Sequence, residues 1–173
     1  RRDMSDASLT DRRDAPVALV LAPGVSERRA DACARRVADA DAAVVVSLRQ
    51  PPDDWRAARD AALPPTRFVT ADPHGDDANT VADPGDLTGL GIAVSERLDS
   101  LPADAAPAVC VDSLTTLLQY ADTERAYRFL QVLCGRVRAA NGTVHVHADP
   151  DAHAADDLDR LAGLFDGVRS VES

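Results

Sequence analysis

The sequence predicts a three-layer α/β domain, in which a mostly parallel β-sheet lies between two layers of helices. Short, wholly apolar segments rich in Val and Ala recur along the chain, as is typical of buried parallel strands. Between them lie segments whose apolar residues recur every three or four positions, which indicates amphipathic helices. The chain has 173 residues, a length that fits one domain with one core.

The apolar segments place the strands, and the polar segments between them place one long loop. The segment from 72 to 86 is rich in Asp, Gly and Pro, so we expect a loop there. The sequence predicts strands at residues 16–22, 42–48, 66–71, 108–111 and 143–148, with a sixth at 167–172.

Capping residues place the helices. Ser26 is the expected N-cap of a helix that runs to about Ala40, and a short helix follows Pro51 and Pro52. Three further helices are predicted: one capped by Asp86 and reaching Leu101, one capped by Thr123 and ended by Asn141–Gly142, and a last one opened by Asp149 and Pro150.

The N-terminal segment and the cysteines indicate the cellular compartment in which we expect the protein. We expect residues 1–14 to be disordered and residues 15–173 to form one domain, because the first segment is polar and charged. It lacks the apolar core of a signal peptide, and no apolar run reaches the roughly 18 residues of a membrane span. Cys33, Cys110 and Cys134 have neither metal-binding spacing nor an evident pairing, so we expect small buried hydrophobic residues in a cytoplasmic protein.

The charge is strongly acidic. The net charge is −10, all 19 cationic residues are Arg, and most of the 29 acidic residues are Asp. Excess Asp without Lys is typical of proteins from salt-loving archaea, where molar salt screens self-repulsion. At low salt such a surface repels a phosphate backbone, and molar salt weakens this repulsion without favouring binding, so we do not expect nucleic acid as a partner.

Asp112 follows a buried strand and precedes Ser113, and this position allows two interpretations. The aspartate could coordinate magnesium beside a bound nucleotide, as a Walker B carboxylate does. Alternatively, Asp112 and Ser113 form a strand-to-helix turn and cap the next helix.

Histidines form a second cluster near the C-terminus. His145 and His147 alternate along one strand and therefore share a face. With Asp149 and His153 they could meet at the strand end as a metal site or a general base. Because this spacing matches no recognised ligand pattern, we predict no metal there.

The segment "VCVDSLTTLL" resembles the Walker B strand of RecA-superfamily ATPases of the RadA and KaiC branch. Further segments, "DPGDLTGLGIAVSERLDSL" and "DPDAHAADDLDRLAGLFDGV" among them, are similar to a haloarchaeal KaiC-like family of unknown function, often labelled HTR-like. The likeness covers residues 16–172 and is specific from Asp83 onward. It implies a RecA-like core and a cytoplasmic archaeal protein, and it implies no established activity.

The turn after the first strand departs from the pattern of those ATPases. A P-loop needs glycines and a lysine to hold phosphates, but this turn reads "LAPGVSERRADAC" and the chain has no Lys. A residual nucleotide or magnesium site would consist of Gly24, Ser26, Arg28, Asp112 and Ser113. The relatives also carry a glutamate after the second strand, where this chain has Asp53 and Asp54, which we interpret as helix-start residues.

The sequence therefore predicts a degenerate, non-catalytic domain that regulates or signals through a protein partner, with a homodimer as one possibility. We expect no cofactor and no membrane contact. Two alternatives stay open: an atypical protein that binds magnesium-ATP, and a RadA-like accessory factor in DNA recombination or repair.

Overall fold

A computed structural model describes residues 15–23, 27–58, 62–72, 80–81 and 83–171. Its seven strands form one sheet in the order β4-β3-β2-β5-β6-β1-β7, and every neighbouring pair is parallel. The predicted disordered segment 1–14 lies outside the described residues. The strands are β1 (Val17–Leu21), β2 (Ala42–Ser47), β3 (Thr66–Ala71), β4 (Thr80–Val81), β5 (Pro107–Asp112), β6 (Thr143–Ala148) and β7 (Gly167–Ser170).

Six α-helices cover the two faces of this sheet, so the fold is the predicted three-layer α/β fold of the RecA-like type. The helices are α1 (Glu27–Ala38), α2 (Pro52–Ala57), α3 (Leu87–Asp99), α4 (Leu114–Leu117), α5 (Thr123–Ala139) and α6 (Ala155–Ala162). Helices α1 and α2 share a small core with one face of the sheet, and the other four pack on the opposite face.

The alternation of side chains along the strands divides the core into two unequal parts. On the larger side, Val44 and Val46 of β2 pack with Leu90 of α3 and Leu130 of α5. The smaller side is built from the buried residues Cys33, Val37, Ala43, Val45, Trp55, Phe68 and Cys110. Helix α1 thus buries mainly small side chains against the sheet.

The predicted loop from 72 to 86 is wrong at one point, because Thr80 and Val81 form the edge strand β4 beside β3. The Thr80 hydroxyl lies 3.1 Å from the hydroxyl of Thr70 on β3. Two β-branched residues suffice for this short strand once β3 offers an open edge. Residues 73–79 and 82 lie outside the described residues.

Several helix ends match the prediction and others correct it. Asp86 caps α3, its carboxylate accepting from Gly89 N at 2.9 Å, and Asn141 beyond α5 takes a left-handed φ of 55°. The cap of α5 is Asp122, not Thr123, because the Asp122 carboxylate accepts from Arg125 N at 2.8 Å.

The last predicted helix divides into two elements. Asp149 and Pro150 open only a 3-10 turn (Pro150–Ala152), and α6 begins at Ala155 after a break at His153 and Ala154. In the described part of the chain, no helix is long and apolar enough to cross a membrane.

Candidate functional site

Asp112 is the last residue of β5 and is buried, with 1% of its surface exposed. It pairs in register with Ser47 of β2 and His147 of β6, so three polar side chains occupy one row at the carboxyl edge of the sheet. Arg49 follows β2 and places its Nη1 atom 3.7 Å from Asp112 Oδ1. The carboxylate therefore faces a cation supplied by its own chain.

Ser113 acts as a helix cap. Its hydroxyl oxygen accepts from Thr116 N at 3.2 Å and lies 3.1 Å from the Thr116 hydroxyl, so it begins the short helix α4. The Asp112–Ser113 peptide bond is cis. The capping interpretation is thus confirmed for Ser113, while Asp112 makes an ion pair instead of a cap.

The structure describes no side chain of the other residues in the predicted nucleotide site. Gly24 and Ser26 lie outside the described residues, and of Arg28 only the backbone, within α1, is described. Asp53 and Asp54 are exposed residues in the first turn of α2, which confirms their interpretation as helix-start residues. The nucleotide site stays a prediction.

Two of the four candidate histidine-cluster residues belong together. His145 and His147 are buried on the face of β6 that α1 covers, and their ring centroids lie 5.3 Å apart. Burial lowers the pKa of His145, so its imidazole is neutral at pH 7. His153 lies elsewhere: its Nε2 atom is 2.8 Å from the Thr115 hydroxyl, which also accepts from Asp149 N at 2.9 Å.

Sequence reasoning missed a groove between α3 and α5, which we call the α3–α5 groove. It has a volume of about 530 Å³. Ile92 and Val132 border it with 56% and 71% of their surfaces exposed, and Phe129 forms its floor. Gly91 of α3 lies over the Phe129 ring, and a Cβ atom at that glycine would be 4.0 Å from the ring. The missing side chain helps to keep the groove open.

Charged contacts close the two ends of the α3–α5 groove. At one end, Arg136 Nη2 of α5 lies 2.6 Å from Asp99 Oδ1 of α3. At the other, Arg125 Nη2 donates to Gly85 O at 2.7 Å. The lining contains Arg125, Arg128 and Arg136 against Glu96 and Asp99, so its formal charge is +3 − 2 = +1, whereas the whole chain carries −10.

The sequence contains a weak sign of this groove. Ile92 and Val132 interrupt the polar faces of their helices, and a single exposed apolar residue is ordinary on a protein surface. Only the side-by-side packing of α3 and α5 brings the two together, and this packing cannot be read from either helix alone.

Fold and site together define a parallel α/β domain with a buried aspartate at a central strand end and an apolar groove between two helices. Residues 17–171 match the family of unknown function DUF7504. Because this match covers most of the chain, the protein belongs to that family. A search of curated proteins returns no significant match.

Proposed function

We propose that this protein is a non-catalytic domain of RecA/KaiC-like ancestry that regulates or signals through protein contacts, and that the α3–α5 groove is its contact surface. The observation that carries the proposal is the exposure of Ile92 and Val132 above Phe129. Contiguous apolar surface of this kind commonly marks an interaction site.

The residues at the carboxyl edge of the sheet favour a function that does not require nucleotide binding. The chain has no lysine that could reach a phosphate, and Arg49 neutralises the strand-end carboxylate of Asp112. A magnesium ion would have to compete with that arginine for the same oxygen atoms. Nucleotide binding at Asp112 and Ser113 is therefore the weaker candidate function.

The shape and charge of the α3–α5 groove suit one kind of occupant. A gap between two neighbouring helices accepts an apolar segment of another protein, anchored by side chains that reach Phe129. The lining is net positive on a chain of net charge −10, so acidic residues beside the anchors would complement it. We propose such a segment of a partner protein, in the cytoplasm, as the ligand.

Site-specific photo-crosslinking tests this proposal. A benzophenone amino acid replaces Val132 in the groove, and the matched control replaces Gln131, the exposed neighbour on the same helix. Both proteins are irradiated in a high-salt lysate of the organism that makes the protein. We expect a crosslinked partner only from position 132, attached through an apolar peptide with acidic flanks, and its loss when Ile92→Asp is added.

Three outcomes would contradict the proposal. Equal products from both positions would mean non-specific capture. Absence of any product would leave the groove without a partner. A product made of two copies of this chain would identify a homodimer instead of a separate partner.

A further inference from the structure

We propose that Cys33, Cys110, His145 and His147 form a structural zinc site beneath the carboxyl edge of the sheet. Each residue offers one ligand atom, and these four atoms lie within 4.8 Å of one another. All four side chains are buried, with 0–1% of their surfaces exposed. This inference does not depend on the proposed function.

Three separate elements bring the ligands together. Cys110 of β5 and His145 of β6 are register partners, and His147 follows on the same face of β6. Helix α1 places Cys33 over them, with its Sγ atom 3.0 Å from Cys110 Sγ and 3.2 Å from His145 Nε2. The sequence spacing of the four residues does not predict this cluster. They become neighbours because β5 and β6 lie side by side in the sheet and α1 packs over them.

The donor set and its dimensions suit zinc. Two thiolates and two imidazoles are a common tetrahedral ligand set for Zn²⁺, with bonds of about 2.3 Å to sulfur and 2.0–2.1 Å to nitrogen. Those bonds place neighbouring ligand atoms about 3.3–3.8 Å apart, inside the range that the cluster spans. Only movements on the order of 1 Å separate the cluster from this geometry.

The charge balance also favours a divalent ion. Two thiolates and one Zn²⁺ sum to zero, so the loaded site adds no net charge to the interior. With four protein ligands on side chains that are at most 1% exposed, no coordination position stays open for a substrate. The site is therefore structural and not catalytic.

Such a site would fasten α1 to the sheet. Among the α1 residues whose side chains are described, the other buried ones are small, Ala34 and Val37 among them, so their apolar burial holds the helix only moderately. Bonds from one zinc ion to Cys33 of α1 and to ligands on β5 and β6 would fix this helix to both strands.

Metal analysis of the whole chain provides the test. The protein is purified in molar KCl under reducing conditions and its zinc content measured by mass spectrometry. It is then unfolded with a chelator and refolded with Co²⁺, Zn²⁺ or no metal. We expect one zinc per chain, a thiolate-to-Co²⁺ charge-transfer band with the intense visible bands of tetrahedral Co²⁺, and a higher Tm with zinc than without.

Matched cysteine variants identify the ligands. Cys33→Ala should lose the metal and the cobalt bands, whereas Cys134→Ala, which removes a buried thiol outside the cluster, should keep both. If Cys33→Ala fails to fold, the wild-type refolding series still decides the question.

Two results would overturn the zinc site. One is a wild-type protein that contains no metal, gives no cobalt charge-transfer band and has the same Tm with and without zinc. The other is a peptide map of protein isolated without reductant, with free thiols blocked at lysis, in which Cys33 and Cys110 are joined by a disulfide, which would identify a redox pair at this position.

Discussion

Arg49 Nη1 lies 3.7 Å from the buried carboxylate of Asp112, so a cation from the turn after β2 faces the strand-end acid of β5. The ion pair gives the carboxylate a structural partner within the chain.

Arg49→Ala should lower the free energy of unfolding by about 1–2 kcal/mol. Removing one partner of a fully buried ion pair costs about 3–5 kcal/mol, and the smaller value applies because the Arg49 side chain is 30% exposed. Urea denaturation in molar KCl measures the change. The control is Arg128→Ala, whose side chain is 72% exposed, and which should change stability by less than about 0.5 kcal/mol. Equal effects in the two variants would mean that Arg49 does not stabilise Asp112.

Val132→Ser should leave the free energy of unfolding within about 0.5 kcal/mol of wild type, because Val132 is 71% exposed. Phe129→Ala, at the floor of the same groove, should cost about 3 kcal/mol or more because Phe129 is buried. Urea denaturation of both variants measures the difference. A large loss of stability in Val132→Ser would show that this side chain is retained for folding and not for binding.

Two glycines near the end of α5 should respond oppositely to alanine. A Cβ atom at Gly142 would lie 2.5 Å from Pro107 O and 2.8 Å from Val137 Cγ1, so Gly142→Ala should destabilise by about 1–3 kcal/mol. At Gly135, inside α5, the described residues outside the local helix backbone leave the new Cβ clear by 4 Å, and Gly135→Ala should stabilise by about 0.5–1 kcal/mol. Thermal unfolding compares them, and a shift in the same direction for both would contradict this account.

Alkaline pH should destabilise the protein through Cys134. Burial raises the pKa of this thiol from 9.0 to about 11, against the opposing effect of Arg138. Between these values the unfolded chain has lost a proton that the native state keeps, so the free energy of unfolding falls as pH rises from about 9 to 11. The chain has no lysine, which reduces the background titration in this range.

The Cys134→Ala variant isolates that effect. It should be less stable at pH 8 because it leaves a cavity, but its stability should fall less steeply between pH 9 and 11. Urea denaturation across this range gives both slopes. Parallel curves for the variant and the wild type would exclude Cys134 as the titrating group.

The sequence predicts the layers of this fold well because burial on both faces leaves long apolar runs such as Ala42–Ser47. It predicts caps less well, since Asp122 and Thr123 are both good cap residues and only the backbone geometry selects Asp122. Strand β4 escapes prediction because a two-residue strand exists only through its pairing with β3.

The candidate sites also differ in how well the sequence predicts them. Asp112 and Ser113 adjoin in sequence, so their position at a strand end can be predicted. Cys33 contacts Cys110 because α1 packs over β5. Ile92 and Val132 line one groove because α3 and α5 pack side by side. Residues that are distant in sequence become neighbours through packing, and no spacing rule in one sequence reports that.

The claim that this domain is non-catalytic depends most directly on whether the strand ends bind nucleotide. The measurement is thermal unfolding in about 2 M KCl, where surface charge is screened, with and without magnesium-ATP. A bound ligand raises the Tm in a saturable way. We predict no such rise for the wild-type protein. A saturable rise that is lost in Asp112→Ala would contradict the account and identify an ATP-binding domain.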